Sequence, residues 1–231
     1  MKWAAVIVAA GRGTRLGAPK QFLELAGTPM VGWSIEKFAS MPEIAEIVIA
    51  TELDSIDPMR ALCERLAAKR AWRVVQGGAS RQKSVYQGLS AVSDKCDAVL
   101  VHDGARPLVA LDDVRAGMRE VRVGRAALLA TPVVDTVKSV DAQSLQVMET
   151  LDRSRLWAAQ TPQFARTAEL RAAHDAARRD GIEATDDAML LERAGVAVLV
   201  VPSTSENFKV TLPADVARAS VILSVSKDDI A

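Results

Sequence analysis

Residues 3–20 read WAAVIVAAGRGTRLGAPK, an unbroken apolar run that gives way to a glycine-rich turn carrying Arg12, Arg15 and Lys20. A continuous apolar run bounded by glycine predicts a strand buried on both faces, as the strands of parallel sheets are. The strand expected here is Trp3–Ala10. Glycines let a backbone approach a polyanion closely, and cations just beyond them neutralise its charge. Open α/β sheets bind ligands at the carboxyl ends of their strands, which is where this turn falls. The ligand so predicted is a nucleotide polyphosphate.

Five further apolar runs repeat the strand pattern: Glu46–Thr51, Arg73–Gln76, Ala98–His102, Ala126–Thr131 and Val196–Val201. Amphipathic stretches separate them. Met59, Leu62, Cys63 and Leu66 fall at helical spacing, as do Leu111, Val114, Met118 and Val121. Pro213 is placed to open a last helix over Ala214–Ser224. Alternation of this kind predicts an α/β fold, a mostly parallel sheet with helices on both faces.

The stretch from Val133 to Leu156 breaks the rhythm. VVDTVKSV and LQVMETLD read as two strands around the polar turn DAQS, with no helix between them. Such a β-hairpin cannot continue a βαβ winding and is expected to project from the sheet as an arm. Two strands alone are marginally stable, so the arm is expected to pack on a second copy of the chain, giving a homodimer. The alternative is a surface hairpin folded back on its own domain. No internal repeat or linker divides the sequence, which reads as one domain over 1–231 with 133–156 as its dimerisation arm. The polar tail SVSKDDIA is expected to fray.

Composition narrows the partners. The 231 residues are 49% hydrophobic and 25% charged, ample for a buried core. Basic and acidic side chains balance at 29 each, so no global field recruits nucleic acid or membrane, and an anion must be caught by a local cluster. Aromatic residues at 4% argue against a base-stacking platform for single strands. Cys63 and Cys96 cannot form a disulfide framework, and Cys63 in MRALCERLAAK has the spacing of a core position. A signal peptide is not expected, because the apolar run after Lys2 is short and is followed by Arg12 and Arg15. No later run approaches the ~20 apolar residues of a membrane span, and a cytoplasmic location is expected.

The first turn fits neither common phosphate loop. After Gly11 and Gly13, a dinucleotide fingerprint needs glycine where Leu16 stands, and no GK[ST] follows at P-loop spacing. What remains is a loop with Arg12, Arg15 and Lys20. A triphosphate undergoing displacement needs several cations, because charge must be held on the attacked phosphorus and on the departing pyrophosphate. The bland alternative is a solvated basic loop.

Three other segments join it. In VVQGGASRQKSVYQGL, the paired Gly77 and Gly78 free a strand-to-helix turn to face a flat ligand, and Ser84 offers a hydroxyl one turn later. VLVHDGARPL delivers Asp103 at a strand's carboxyl end, poised to hold Mg²⁺ against phosphates, with Arg106 either at the site or paired to Asp103. His102 faces away from Asp103 and reads as a core residue, and with His174 the only other histidine a His-based zinc site is not expected. SENFKVTLP carries Glu206 and Lys209 on opposite faces if extended, and Lys209 is the stronger site residue. Thr136, Lys138 and Arg153 lie on the arm, and Thr185-Asp186-Asp187 reads as a helix cap.

Together AAGRGTRLGAPKQF, GGASRQKSV, HDGARP, PVVDTVK, LDRSRLWAAQTPQF, ATDDA and ENFKVTLP resemble, in order, the motifs of methylerythritol phosphate cytidylyltransferases, over about Ala4 to Pro213. The resemblance implies a Rossmann-like nucleotidyltransferase fold, a homodimer with swapped arms, and Mg²⁺ or another divalent cation. The implied reaction converts CTP and a methylerythritol phosphate into the cytidine diphosphate derivative and pyrophosphate. By the same resemblance, Arg15 and Lys20 stabilise the α-phosphate, while Lys209 and Arg153 position the polyol phosphate. Arg153 and Thr136 would serve the partner subunit's site. Ala9, Ala10, Gly11, Gly78 and Ser84 match cytosine and ribose contacts, and Arg106 and Thr185 join the substrate-binding set. Asp103 matches the metal-associated aspartate, with Glu206 as a second metal candidate. Two positions depart from the pattern: Lys83 precedes Ser84 where the family commonly has Asp, and the stretch from Gly17 to Lys20 is short.

The rival readings are a ribitol phosphate cytidylyltransferase or another sugar-phosphate nucleotidyltransferase, a nucleotide-binding regulatory module without chemistry, and a nicotinamide-dependent oxidoreductase. Binding alone would not require Lys20, Asp103 and Lys209 together, and Leu16 counts against the last.

Overall fold

The computed structural model describes residues 1–11 and 20–228. Seven strands form the central sheet: β1 (Trp3–Ala9), β4 (Ile44–Thr51), β5 (Ala71–Gln76), β6 (Ala98–Asp103), β7 (Arg125–Pro132), β10 (Trp157–Arg166) and β11 (Ala197–Pro202). Their order is β11-β7-β10-β6-β1-β4-β5. All run parallel except β10, which pairs antiparallel with β6 on one side and β7 on the other. The mostly parallel sheet expected from the apolar runs is present, and each run was located to within two residues. Two short strands, β2 (Glu24–Leu25) and β3 (Thr28–Pro29), pair with each other.

Among the described residues there are seven α-helices: α1 (Met30–Ser40), α2 (Ile56–Leu66), α3 (Arg81–Ala91), α4 (Leu111–Glu120), α5 (Thr167–Asp180), α6 (Asp187–Arg193) and α7 (Pro213–Asp228). Strand alternation explains how the helices sort. Trp3, Ala5, Ile7 and Ala9 of β1 join one core with Ile35 and Phe38 of α1, Met59 of α2 and Val114 of α4. Ala4 and Val6 enter a second core with Val85 of α3 and Leu170 of α5. Period-2 side chains from a strand covered on both faces thus fill two cores. Both predicted helical stripes bury core residues, and burial pushes the Cys63 thiol up to about 12, in keeping with an inert core position.

β10 was not foreseen. WAAQTPQFAR has polar residues in its middle and Pro162, which counts against a central strand. Its register with β7 shifts between Ala159 and Gln163, so the proline falls in a bulge. The polar side chains have partners instead of water. Asp103 N donates to Thr161 Oγ1 at 3.0 Å, and Asp187 N and Ala188 N donate to Gln163 Oε1. The tail differs too: α7 opens at Pro213 as expected but runs on to Asp228, so most of SVSKDDIA is helical and only residues 229–231 lie outside the description.

The hairpin contains β8 (Lys138–Val140) and β9 (Val147–Thr150), which pair only with each other. Asp141 closes its turn by accepting from Gln143 N, Ser144 N and Ser144 Oγ. Almost every residue of this segment is exposed.

His102 is fully buried beside Phe38, ring edge to ring face. Its Nε2 donates to Arg106 O and its Nδ1 accepts from Thr161 Oγ1, a pairing that satisfies the neutral ring. Burial pushes its pKa down to about 3, whereas the unfolded chain has about 6.5. The folded state therefore binds this proton less readily than the unfolded one. Stability is complete above about pH 6.5 and is lost as the pH falls toward 3, by roughly 1.4 kcal/mol per pH step. Urea midpoints should accordingly decline from about pH 7 to about pH 4.5, and a flat profile would contradict the buried neutral ring.

Candidate active site

The chain runs from β1 to β4 and β5 on one side and then crosses to β6 on the other, so the sheet's order reverses at β1. Ligands of open α/β sheets bind at such a reversal, beyond the strands' carboxyl ends. A cavity of about 740 Å³ occupies that position. Ala9, Ala10 and Gly11 line it from β1, Gln76 to Arg81 and Ser84 from the β5–α3 turn, and Asp103 to Ala105 from β6. Lys20 and Lys209 enter from separate segments.

Eight of the residues singled out in the sequence therefore share one cavity: Ala9, Ala10, Gly11, Lys20, Gly78, Ser84, Asp103 and Lys209. Arg15, Arg12 and the short stretch before Lys20 lie outside the described residues. Five others do not line this cavity. Arg106 turns its Nη1 to Asn207 O at 2.6 Å and does not pair with Asp103. Thr185 and Glu206 are exposed, and it is Asp186 that caps α6 by accepting from Met189 N. Thr136 and Arg153 are exposed on the hairpin, where Arg153 Nη1 donates to Val134 O.

Ser84 lines the cavity, yet its hydroxyl is engaged in the turn itself. It accepts from Gly78 N at 3.1 Å and lies 2.9 Å from Ser80 O, so it braces the backbone that faces the ligand. Gly78 has no room for a side chain, since a Cβ there would fall 2.4 Å from Lys83 Cβ. Lys83, at the departure from the family pattern, is exposed and donates its backbone N to Ser80 Oγ, the cap of α3.

The electrostatic centre is Asp103. Its Oδ2 accepts from Lys209 Nζ at 2.8 Å and its Oδ1 from Arg81 Nε at 2.9 Å. Arg81 also donates from Nη1 to Asp187 Oδ2, and Asp187 Oδ1 accepts from His174 Nε2 at 3.0 Å. Burial by itself would raise the Asp103 carboxyl, but Arg81 and then Lys209 outweigh it and hold it well below the usual carboxylate range. Asp187 is likewise held low, by Arg81 and then His174 against its burial. Both carboxylates are thus ionised near neutral pH.

Arg81 is not marked by the sequence, and Asp187 reads there only as part of a helix cap. Arg81 lies 22 residues from Asp103 and 106 from Asp187, and no local pattern marks so distant a bridge. The one available signal was an arginine directly after the paired glycines.

Among the described residues no cluster of three or more His, Cys, Asp or Glu could hold a metal ion by itself. Mg²⁺ commonly binds through one or two carboxylates plus the substrate's phosphates. Asp103, opening on a cavity lined by Lys20 and Lys209, fits that smaller share, whereas Glu206 is not among the lining residues.

The chain is similar to known proteins along nearly its whole length. Residues 3–225 match the family model described as "IspD: 2-C-methyl-D-erythritol 4-phosphate cytidylyltransferase". The chain is 39% identical over 226 residues to the 2-C-methyl-D-erythritol 4-phosphate cytidylyltransferase of Halalkalibacterium halodurans, covering 97% of this chain and 98% of that one. The crystal structure of the enzyme of that name from Thermus thermophilus superposes with a TM-score of 0.77 at 34% identity, covering 96% and 98% of the two chains. The 4-diphosphocytidyl-2C-methyl-D-erythritol synthase of Anaerococcus prevotii superposes with a TM-score of 0.83 at 27% identity, again covering 96% and 98%.

Proposed function

The chain belongs to the 2-C-methyl-D-erythritol 4-phosphate cytidylyltransferase family, and from that premise we propose that it joins CTP to 2-C-methyl-D-erythritol 4-phosphate with release of pyrophosphate, a step of isoprenoid biosynthesis. The observation that carries the reading is the meeting of Lys20, Asp103 and Lys209 with two glycine-bearing turns in one cavity. In this reading the backbone groups of Ala9, Ala10, Gly11 and Gly78, all of which line the cavity, receive cytosine and ribose.

The reaction is an in-line displacement. A phosphate oxygen of the polyol phosphate forms a bond to the α-phosphorus of CTP as the bond from that phosphorus to the bridging oxygen of pyrophosphate breaks. The attacking phosphate is already an anion, so it needs orientation and charge compensation more than a base. Lys20, with Arg15, stabilises charge on the α-phosphate oxygens, and Lys209 orients the incoming phosphate. Asp103 would hold Mg²⁺, which supplies further charge neutralisation on the triphosphate when bound.

The proposal includes a homodimer joined through the arms 133–156. Val140, Leu145, Val147 and Met148 are exposed there, and such apolar side chains on a two-stranded ribbon support a covering partner. Arg153 and Thr136 then reach the partner's cavity. Arg153→Ala is expected to raise the KM for the polyol phosphate about tenfold or more, as loss of a charged hydrogen bond would, and to change the KM for CTP less. The reverse split would count against the arm's role. The place of action we propose is the cytoplasm; among the described residues no helix is long and apolar enough to cross a membrane.

A pyrophosphate-release assay crossing the four nucleoside triphosphates with methylerythritol phosphate, ribitol phosphate and other polyol phosphates tests the whole reading. Release is expected with CTP and methylerythritol phosphate alone. Preference for another polyol would overturn the acceptor, and CTP binding without release would overturn the enzyme.

A further inference from the structure

The two cations on Asp103 are not equivalent. Lys209 is 40% exposed and rests on that one carboxylate, while Arg81 is 24% exposed and bridges Asp103 to Asp187. Asp187 is itself anchored from three sides. Its backbone N donates to Gln163 Oε1, its Oδ1 accepts from buried His174 Nε2, and Asp186 beside it caps α6. Arg81 opens α3, whose cap Ser80 and braced Gly78 form the cavity wall. The guanidinium is therefore clamped, and Lys209 is the cation able to change partner.

Such a change is required if Lys209 is to meet a substrate phosphate, because in this structure its ammonium lies 2.8 Å from Asp103. Asp103 is only 9% exposed, and a buried carboxylate stripped of its cation is strongly disfavoured. With no metal ion on it and one partner alone, Asp103 would retain Lys209 and compete with the substrate for it.

We propose that Arg81, carried by Asp187, is a positioning residue that keeps Asp103 paired while Lys209 transfers from that carboxylate to the phosphate of the incoming polyol. The inference rests on the functional reading above and adds to it the pair that lets Lys209 move. Arg81 lines the cavity, and the role assigned to it here is exerted through Asp103 rather than on a reacting phosphate. Lysine at position 81 would carry the charge but lacks the planar fork that spans two carboxylates.

A binding cycle tests this without turnover. Equilibrium binding of methylerythritol phosphate would be measured, with divalent metal removed by chelation, on the protein saturated with a non-hydrolysable α,β-methylene analogue of CTP. The forms compared are wild type, Arg81→Gln, Lys209→Gln and the double variant. Arg81→Gln is expected to weaken polyol phosphate binding about tenfold to a hundredfold in the wild-type background and less than about threefold in the Lys209→Gln background. Arg81→Lys should recover part of the loss. In steady state the KM for the polyol phosphate should rise more than that for CTP, a split that a general loss of folding would not produce.

Equal losses in both backgrounds, or none in either, would overturn the proposal. Should Arg81→Gln fail to fold, Asp187→Asn weakens the same clamp, and the same inequality between backgrounds is required of it. A wild type that binds the polyol phosphate and shows the inequality yet releases no pyrophosphate would overturn the functional reading alone. A wild type that binds no polyol phosphate would overturn both.

Discussion

Lys20→Ala is expected to lower kcat for pyrophosphate release by about 10²–10³, the cost of removing one preorganised donor to developing charge. The prediction rests on how firmly the residue is presented. Lys20 begins a 3-10 turn, Lys20–Phe22, whose carbonyl accepts from Leu23 N at 3.1 Å. The next residue, Gln21, is buried and donates to Ser55 Oγ. The Lys20 side chain runs beside Gly11: a Cβ on the glycine would lie 3.7 Å from Lys20 Cε, an ordinary van der Waals distance. A turn anchored in that way presents Lys20 to the cavity that it lines. The effect should fall on kcat at saturating substrates with little change in the thermal midpoint. Turnover near that of the wild type would refute the role assigned to Lys20.

The second large effect concerns Gly77. A Cβ at this position would stand 2.5 Å from Ala10 Cβ and 3.0 Å from Ser84 Oγ, and neither neighbour is the tip of a flexible side chain. The backbone cannot easily retreat, because Gly77 N donates to Thr51 O at 2.7 Å. Overpacking of this kind costs about 1–3 kcal/mol. The strain is relieved by displacing Ala10 or the β5–α3 turn, both of which line the cavity. Restoring the cavity for a nucleotide then requires that energy again, which corresponds to about a fivefold to hundredfold weaker Kd for CTP in Gly77→Ala. Calorimetric titration with CTP beside a urea unfolding curve would check both halves. Unchanged affinity in a destabilised variant would separate this glycine from the nucleotide site.

What was legible in the sequence follows from what is local. Strands covered on both faces carry continuous apolar runs, so β1, β4, β6 and β7 stand out against their flanking turns. Glycine pairs and the cations beside them also declare themselves locally, and eight of the residues read from such motifs meet in one cavity. β10 was illegible because its polar residues are satisfied by β6 and α6 rather than by any neighbour in sequence. The misplacement of Arg106 has a similar origin: it stands two residues from Gly104 at the site, but Asn207 O, 101 residues away, draws its guanidinium aside.

The amino-acid sequence by itself determined the six parallel strands of the sheet, the helices α2, α4 and α7 and the glycine-bearing turns, because hydrophobic period and backbone freedom act over a few residues. Family membership likewise needed only the order of short motifs along the chain. Tertiary structure alone decided which cation rests on Asp103, that Arg81 joins it to Asp187, and that an antiparallel strand lies between β6 and β7. Those choices are made by charges and hydrogen-bond partners that lie far apart in the chain and meet only once the sheet is closed, where burial makes an unpaired ion too costly to leave alone.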